Sequence, residues 1–559
     1  MKFKLPLAFT PKLFTTLKDG YSKEAFLKDL ISGVIVGTVA LPLAIAFGIA
    51  SGVTPEQGLI TAIVGGFIIS ALGGSRVQIG GPTGAFIVVI YAVVQKFGVN
   101  GLLIATVASG VLVLIMGLAK LGSVIKFIPA PVVTGFTSGI AIIIFSSQIK
   151  DLFGLKMGAV PADLIEKWEA YFQNFSALNW YSVGLALLAI LIIVYSPKVT
   201  LKIPGPFIAL ILCTVIVFLF DIPVETIGSK FKVLGGTLPK LQVPNITYAA
   251  IKELFPSIIT MSVLISIESL LSAVVADGML GTKHRSNMEL VAQGIANMVS
   301  PLFGGLPATG AIARTATNIK SGGRTPVAGI IHSVFLLLVV LAIGKYASMI
   351  PMPVLAAILV IVSYNMSEWR TFRSMLKAPK SDIIVLLTTF TLTVVIDLTV
   401  AIEVGMVLAA FLFMRRMALV TNVKVLISED DEEEGGEIPF REDIPLGVQV
   451  FEINGPFFFG AAEKFIETIR DMSAVPKVFI LRMRNVPALD ATGMKAIEDI
   501  WQKMVKTGGV FLLAEIHSQP FTALEQSGFL KKLGKEKLVE SLDLALELAR
   551  EILKNRILH

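Results

Sequence analysis

Gly80-Gly81-Pro82-Thr83-Gly84-Ala85 is echoed 226 residues downstream, where Gly304-Gly305-Leu306-Pro307 runs into Ala308-Thr309-Gly310-Ala311. Gly and Pro interrupt helices, Pro because it lacks an N–H and its ring crowds the preceding turn. Each stretch therefore reads as extended chain that starts a new helix near its Thr-Gly pair. Two more echoes flank this one in the same order. Lys28-Asp29-Leu30 recurs as Lys252-Glu253-Leu254, offset 224, and Ile128-Pro129-Ala130-Pro131-Val132 as Ile350-Pro351-Met352-Pro353-Val354, offset 222. Three ordered echoes at offsets within four residues of one another describe a duplicated unit.

The surroundings of these stretches are apolar. Hydrophobic residues make up 54% of the 559, charged ones 16%, and the mean hydropathy is +0.78, far outside the range of soluble globular domains. A spanning helix needs about 20 apolar residues. Runs of that kind, broken by Gly, Pro or charge, begin near Leu27, Gln57, Pro82, Gly101, Ser123, Trp180, Pro206, Leu254, Glu289, Ala308, Pro326, Ile350, Asp382 and Thr399. The expected fold is a polytopic α-helical membrane protein of about 14 spans arranged as a 7+7 inverted repeat. An odd number of spans per copy forces the second copy to run upside down, as in secondary transporters. The expected boundaries are a cytoplasmic segment 1–26, a transmembrane domain 27–425 with repeats about 27–222 and 251–417, a linker 426–445 and a terminal domain 446–559. The opening residues are Lys-rich and polar for too long to be a secretory leader.

Of the 48 Lys/Arg and 41 Asp/Glu, residues 427–559 hold 16 and 23, leaving 32 and 18 for residues 1–426. The net charge of +7 thus belongs to the membrane part and predicts no nucleic-acid partner. With the N-terminus inside, 22 Lys/Arg of the membrane part fall on the cytoplasmic side against 9 outside, the bias that sets orientation. Both termini are then cytoplasmic, in a cell inner (plasma) membrane.

The third and tenth segments are short and Gly/Pro-interrupted at matching places of the two repeats, which points to a binding site at the bilayer midplane. Two helix N-termini would face each other there, each with about half a positive charge and unbonded N–H groups, a receptor for a small anion. The expected anion-binding residues are Thr83, Gly84, Ala85, Gly310 and Ala311. The competing reading is that these glycines only relieve helix crowding. Ionisable groups at bilayer depth cost about 3 kcal/mol or more, so two need a reason. Arg314, one turn beyond Gly310, would add fixed positive charge to the anion site. Glu268, with Ser272 one turn on along the same face, would take up a proton or pair with a cation. Two half-helix ends and Arg314 balance a divalent anion only while Glu268 is neutral. A Glu268 to Arg314 ion pair with no transport role is the structural alternative. Asp277, Asp397 and Glu403 read as interfacial or packing residues.

The lone Cys213 excludes an internal disulfide and a cysteine metal cluster. The four histidines are scattered, and no HExxH, GxSxG or Walker pattern occurs. No enzyme, no metal and no cofactor are expected.

Leu41-Pro42-Leu43-Ala44-Ile45-Ala46-Phe47-Gly48, Gly81-Pro82-Thr83-Gly84, Ile267-Glu268-Ser269-Leu270-Leu271 and Thr309-Gly310-Ala311-Ile312-Ala313-Arg314-Thr315 resemble the SulP (sulfate permease) family of anion transporters and exchangers. The resemblance implies the seven-plus-seven fold, a core domain moving against a gate domain, a homodimer, and a substrate cradle between the third and tenth helices lined by Phe47. Leu43 stands where many animal-type members carry Gln, which places the chain nearer the bacterial sulfate and bicarbonate branch. Ile312 offers no oxygen for a cation beside Gly310 and Ala311, so H+ is expected as the coupling ion, with Na+ the alternative.

Past Met417 the chain passes through Glu429-Asp430-Asp431-Glu432-Glu433-Glu434-Gly435-Gly436, too charged to pack. Strands are expected over 447–453, 477–483 and 509–515, alternating with helices near 461–472, 493–506 and 538–552, a cytoplasmic α/β layer. Leu489-Asp490-Ala491-Thr492-Gly493 resembles the strand-to-helix loop of anti-sigma factor antagonists, and the domain resembles the STAS domain that ends SulP transporters. Those switches are phosphorylated on a Ser after the Asp, and Ala491 stands in its place. The domain either organises the fold and dimer or binds a regulatory protein or nucleotide. The expected function is secondary active transport of a small inorganic anion across the lipid bilayer, with proton-coupled sulfate uptake by alternating access first. Sodium-coupled bicarbonate transport, C4-dicarboxylate transport and an uncoupled exchanger or channel are the alternatives.

Overall fold

In the computed structural model, the described residues are 7–123, 128–158, 160–161, 163–200, 203–231, 241, 244–245, 247–426, 444–470 and 476–557. The acidic run 429–436 lies outside them. Packing divides the chain into residues 1–407 and 408–559.

The first unit is helical. In order it holds α1 (Lys23–Ala50), α2 (Pro55–Leu72), a two-residue strand β1 (Gly80–Gly81), α3 (Gly84–Leu118), α4 (Ala130–Phe153), α5 (Leu164–Asn174), α6 (Trp180–Val199), α7 (Gly205–Leu219), α8 (Tyr248–Leu280), α9 (Ser286–Val299), a second short strand β2 (Thr309–Gly310), α10 (Ile312–Lys320), α11 (Val327–Ile343), α12 (Met352–Met366), α13 (Lys380–Val395) and α14 (Leu398–Val420). Among the described residues, eight helices are long and apolar enough to cross a membrane. The segments expected from Pro82 and Gly101 are two helices within α3, separated where Gly98 takes φ 70° and ψ −179°, which no helix holds. α10 has nine residues, so the tenth segment is shorter than expected.

Local sequence explains the ends. Ser22 Oγ caps α1 by accepting the Ala25 N–H at 3.1 Å, and Gly281, at φ 65°, ends α8 in the left-handed region where glycine has no Cβ penalty. Pro129 and Pro351 stand at the N-caps of α4 and α12 with nearly the same backbone, φ −66°, ψ 136° and φ −73°, ψ 136°. This echo of the repeat is therefore conformational as well as sequential. α1 packs on α11 as α8 packs on α3, while α4, α6, α12 and α13 pack together.

Buried polar groups fasten this bundle. Asp29 is 1% exposed and accepts from Tyr21 Oη at 2.9 Å, the Arg324 N–H at 2.9 Å and Thr325 Oγ1 at 2.5 Å, tying the start of α1 to the loop after α10. Glu253, its counterpart in the repeat, is exposed. Glu289 is fully buried and accepts the N–H groups of Gly74 and Ser75 beyond the end of α2, at 2.8 and 3.0 Å. Asp277 accepts from His284 Nδ1 at 2.7 Å and Thr282 Oγ1 at 3.1 Å at the end of α8, a packing role.

The second unit is a five-stranded sheet of β3 (Asn422–Leu426), β4 (Val448–Asn454), β5 (Val478–Asn485), β6 (Val510–Ala514) and β7 (Leu538–Val539), in that order, antiparallel between β3 and β4 and parallel elsewhere. Helices α15 (Phe459–Arg470), α16 (Ala491–Lys506), α17 (Ser518–Gln526) and α18 (Leu542–Ile557) accompany it. Alternate strand residues point to opposite faces, and both faces are covered. Phe451, Phe479 and Phe511 pack with Phe465 and Ile497, while Val450, Ile480 and Leu512 pack with Leu542 and Leu546. The helix expected from residue 538 begins at Leu542, because Leu538 and Val539 pair with Leu513 and Ala514 as an edge strand. α14 from Leu408 onward belongs to this unit, and just beyond its end Thr421 Oγ1 donates to the Pro456 carbonyl at 2.9 Å. Asp490 caps twice, taking the Gly493 N–H at 2.8 Å and the Phe459 N–H at 3.1 Å, so this loop has a structural job independent of any phosphate.

Arg482 crosses three strands. Its guanidinium donates to Glu515 at 2.8 and 3.3 Å and to Glu452 at 3.2 Å. Burial alone would push the Glu515 carboxyl up. The hydrogen bonds from Arg482 and the Leu542 N–H, with the guanidinium charge, outweigh it and hold Glu515 below its ordinary value of 4.5. A carboxylate so held contributes stability that is complete above the unfolded value and fades as pH falls through the folded one. Glu515→Gln is accordingly expected to cost about 1 kcal/mol at neutral pH and nearly nothing at pH 3. Hydrogen exchange of the β5 and β6 amides in the full chain measures it, and equal protection at neutral pH would refute the prediction.

Candidate anion site

The two Thr-Gly stretches meet. β1 and β2 pair antiparallel, Gly80 opposite Gly310 and Gly81 opposite Thr309, and Thr83 Oγ1 lies 3.1 Å from Thr309 Oγ1. From this junction the chain enters α3 on one side and α10 on the other. At α3, Thr83 is the N-cap and the first turn closes through the Phe86 N–H to the Thr83 carbonyl at 3.2 Å, so the N–H groups of Gly84 and Ala85 come before the first helical bond. At α10 the first bond is the Thr315 N–H to the Ala311 carbonyl, 2.9 Å.

The expected donors shift there by two residues. The Gly310 N–H goes to Ser269 Oγ at 3.1 Å and the Ala311 N–H to the Ile79 carbonyl at 2.9 Å, so neither remains for a ligand. The first-turn N–H groups of Ile312 and Ala313 take that place, and both residues are exposed, whereas Arg314 and Thr315 behind them are buried.

A methyl placed on Gly84 would lie 3.7 Å from Phe47 Cε1 on α1, 3.7 Å from Ile144 Cδ1 on α4 and 3.3 Å from Met366 Sδ at the end of α12. Phe47 therefore faces the start of α3. The position in front of Gly84 is apolar on three sides and bounded by the α3 first turn on the fourth, suited to a desolvated anion held by N–H groups.

Arg314 is 3% exposed and points across the junction. It donates to the Pro82 carbonyl and, at 3.5 Å, to that of Gly80. Its charge lies beside the site while its hydrogen bonds fix the lead-in to α3. Glu268, half-buried on α8, forms no ion pair with Arg314 and no hydrogen bond among the described residues, which removes the expected structural alternative. Ser272 is fully buried, 3.2 Å from Thr315 Oγ1, and no hydrogen bond joins it to Glu268.

Several supporting residues were not expected. Gln78 covers Gly310 and donates to the Ser269 carbonyl at 3.2 Å. Thr315 Oγ1 accepts the Ile79 N–H at 3.0 Å. Asn297 grips Ala308 at both ends, donating to its carbonyl at 2.7 Å and accepting its N–H at 2.8 Å. Polar residues in apolar runs beside a broken helix were the available signal, since each must bond backbone that the break leaves unpaired.

Thr83→Val removes one partner of the hydroxyl pair while keeping its shape. A loss of about 0.5–1.5 kcal/mol corresponds to anion binding roughly three- to tenfold weaker. Isothermal titration of the purified protein reads it, and unchanged affinity would place the hydroxyl outside the site.

Residues 26–389 match the family described as "Sulfate permease family", and residues 439–545 match "STAS domain". "Putative sulfate transporter YvdB" of Bacillus subtilis (strain 168) is 41% identical over 92% of this chain and 96% of its own length. "Bicarbonate transporter BicA" of Synechocystis is 32% identical over 89% of this chain and 90% of its own. The solved murine Solute Carrier 26 family member A9, an anion transporter in the inward-facing state, is 18% identical and covers 99% of this chain and 96% of that one with a TM-score of 0.86, a likeness of fold. The chain is a multi-pass membrane protein of the sulfate permease family, an anion transporter that carries a C-terminal STAS domain.

Proposed function

We propose that this protein is a secondary active transporter that brings sulfate into the cell with protons by alternating access. One observation supports the reading above the rest: the β1–β2 junction presents the starts of α3 and α10 together, with Glu268 uncompensated one residue from Ser269, which holds β2. Helix N-termini alone would serve a channel as well. A titratable carboxylate beside the site is what coupling to a proton adds, and Ile312 supplies no oxygen that a sodium ion would need. Two identical chains form the working unit, both termini face the cytoplasm of a cell whose inner membrane holds the protein, and the STAS domain is where a regulatory protein or nucleotide would act.

Sodium-coupled bicarbonate transport is the second reading, supported by the relative named for that anion. Uptake of radiolabelled sulfate into proteoliposomes, under an inward proton gradient, an inward sodium gradient or neither, separates them. Stimulation by the proton gradient is the expected result. No sulfate uptake, with bicarbonate moving under the sodium gradient, would overturn it.

A further inference from the structure

His332 lies in the second turn of α11, fully buried, and neither of its ring nitrogens has a hydrogen-bond partner. A buried imidazole ordinarily donates through one nitrogen and accepts through the other, so this one is held in reserve. Its setting is specific. A methyl added to Gly66 of α2, directly after the π-helical turn Thr61–Gly65, would stand 3.0 Å from Ser333 Oγ, 3.0 Å from the Gly80 carbonyl oxygen and 3.6 Å from His332 Cε1. Glycine thus keeps open a small gap walled by imidazole, hydroxyl and carbonyl. That carbonyl belongs to β1 and is one of the two that Arg314 holds. The Gly80 carbonyl thus borders the gap that His332 also walls and accepts from the Arg314 guanidinium behind the anion site.

Few other charges face it. α1, packed against α11, carries its ionisable residues at its start, Lys23, Glu24, Lys28 and Asp29, with Asp29 engaged by Thr325 and the Arg324 N–H. α2 carries only Glu56, at its far end, and the turn after α11 only Lys345 and Tyr346. Arg314, bonded to the Gly80 carbonyl that borders the same gap, is the charged group this setting shares with the anion site.

We propose that His332 is a second proton-carrying residue of the transport cycle, taking a proton when an anion occupies the site between α3 and α10 and returning it when the anion leaves. This rests on the proton-coupled reading above. The proton passes from hydronium to an imidazole lone pair, leaving water, and goes back to water on release. Positive charge on both His332 and Arg314 would repel in this buried setting. A bound anion offsets Arg314 and removes that repulsion. By linkage, whatever anion binding adds to proton binding, proton binding adds to anion binding.

The test adds sulfate to the purified protein in weakly buffered detergent solution and reads protons taken up with an indicator dye, for the unmutated chain, Glu268→Gln and His332→Gln. The unmutated chain is expected to take up protons, and His332→Gln about one fewer per sulfate bound. Equal uptake by His332→Gln overturns this inference and leaves proton coupling standing; no uptake by the unmutated chain overturns both. If His332→Gln fails to fold, the unmutated chain labelled at its four histidines with nitrogen-15 gives the answer. An imidazole signal protected from a water-soluble paramagnetic agent is expected to move from neutral to imidazolium on adding sulfate, and a protected signal that stays neutral refutes the proposal.

Discussion

Gly310→Ala is expected to cut sulfate uptake by about 5- to 150-fold, while Gly84→Ala leaves the fold intact and weakens binding. A Cβ on Gly310 would lie 1.6 Å from Gln78 Nε2 and 2.6 Å from Cδ. Gln78 is itself buried, 4% exposed, with its amide on the Ser269 carbonyl, and Ser269 Oγ holds the Gly310 N–H. Moving Gln78 therefore loosens the contacts that fix β2. Overpacking of this kind costs about 1–3 kcal/mol, and at 1.36 kcal/mol per decade that sets the expected range when the penalty falls on the transport-competent arrangement. A Cβ on Gly84 meets nothing closer than 3.3 Å but fills the position in front of the α3 first turn. The pair separates scaffold from site. Thermal unfolding should move for Gly310→Ala and stay for Gly84→Ala, and sulfate affinity should fall for Gly84→Ala. An unchanged affinity in Gly84→Ala would remove Gly84 from the site.

The sequence carried the architecture because the two repeats repeat their breaks as well as their apolar runs. The echoes at 129–131 and 351–353 mark N-caps of nearly identical backbone, and those at 80–85 and 308–311 hold two strands that find each other. What it could not carry was which backbone groups are spent inside the protein. Gly310 and Ala311 look, by spacing, like the free end of a half-helix. Only the pairing of β2 with β1, and the arrival of Ser269 from α8, show that their N–H groups are occupied and that the open donors begin at Ile312. The bonding of Arg314 to the carbonyls of Gly80 and Pro82 was hidden for the same reason, because it joins residues more than 230 apart. In the C-terminal unit, β7 escaped notice because two residues at the edge of a sheet carry no period, and α18 alone accounts for the helical pattern that follows.

Glu268→Gln is expected to abolish stimulation of uptake by a proton gradient while leaving equilibrium sulfate binding within about twofold. Gln keeps the size and loses the charge, and Glu268 has no hydrogen bond or ion pair among the described residues for the substitution to break. The fold therefore has no reason to suffer. If Glu268 must be neutral for a divalent anion to balance two helix ends and Arg314, the amide imitates the protonated state permanently. The variant should bind sulfate without a proton at position 268 and fail to use the gradient, and exchange of internal for external sulfate should persist, since exchange needs no net movement of protons. Arg314→Gln, by contrast, withdraws charge from the site and donors from Pro82 and Gly80 together, so binding and exchange should both fall. Measured side by side in proteoliposomes, exchange that survives in the first variant and fails in the second assigns coupling to Glu268 and anion holding to the α3–α10 junction. A proton-stimulated Glu268→Gln would remove the carboxylate from the coupling path altogether.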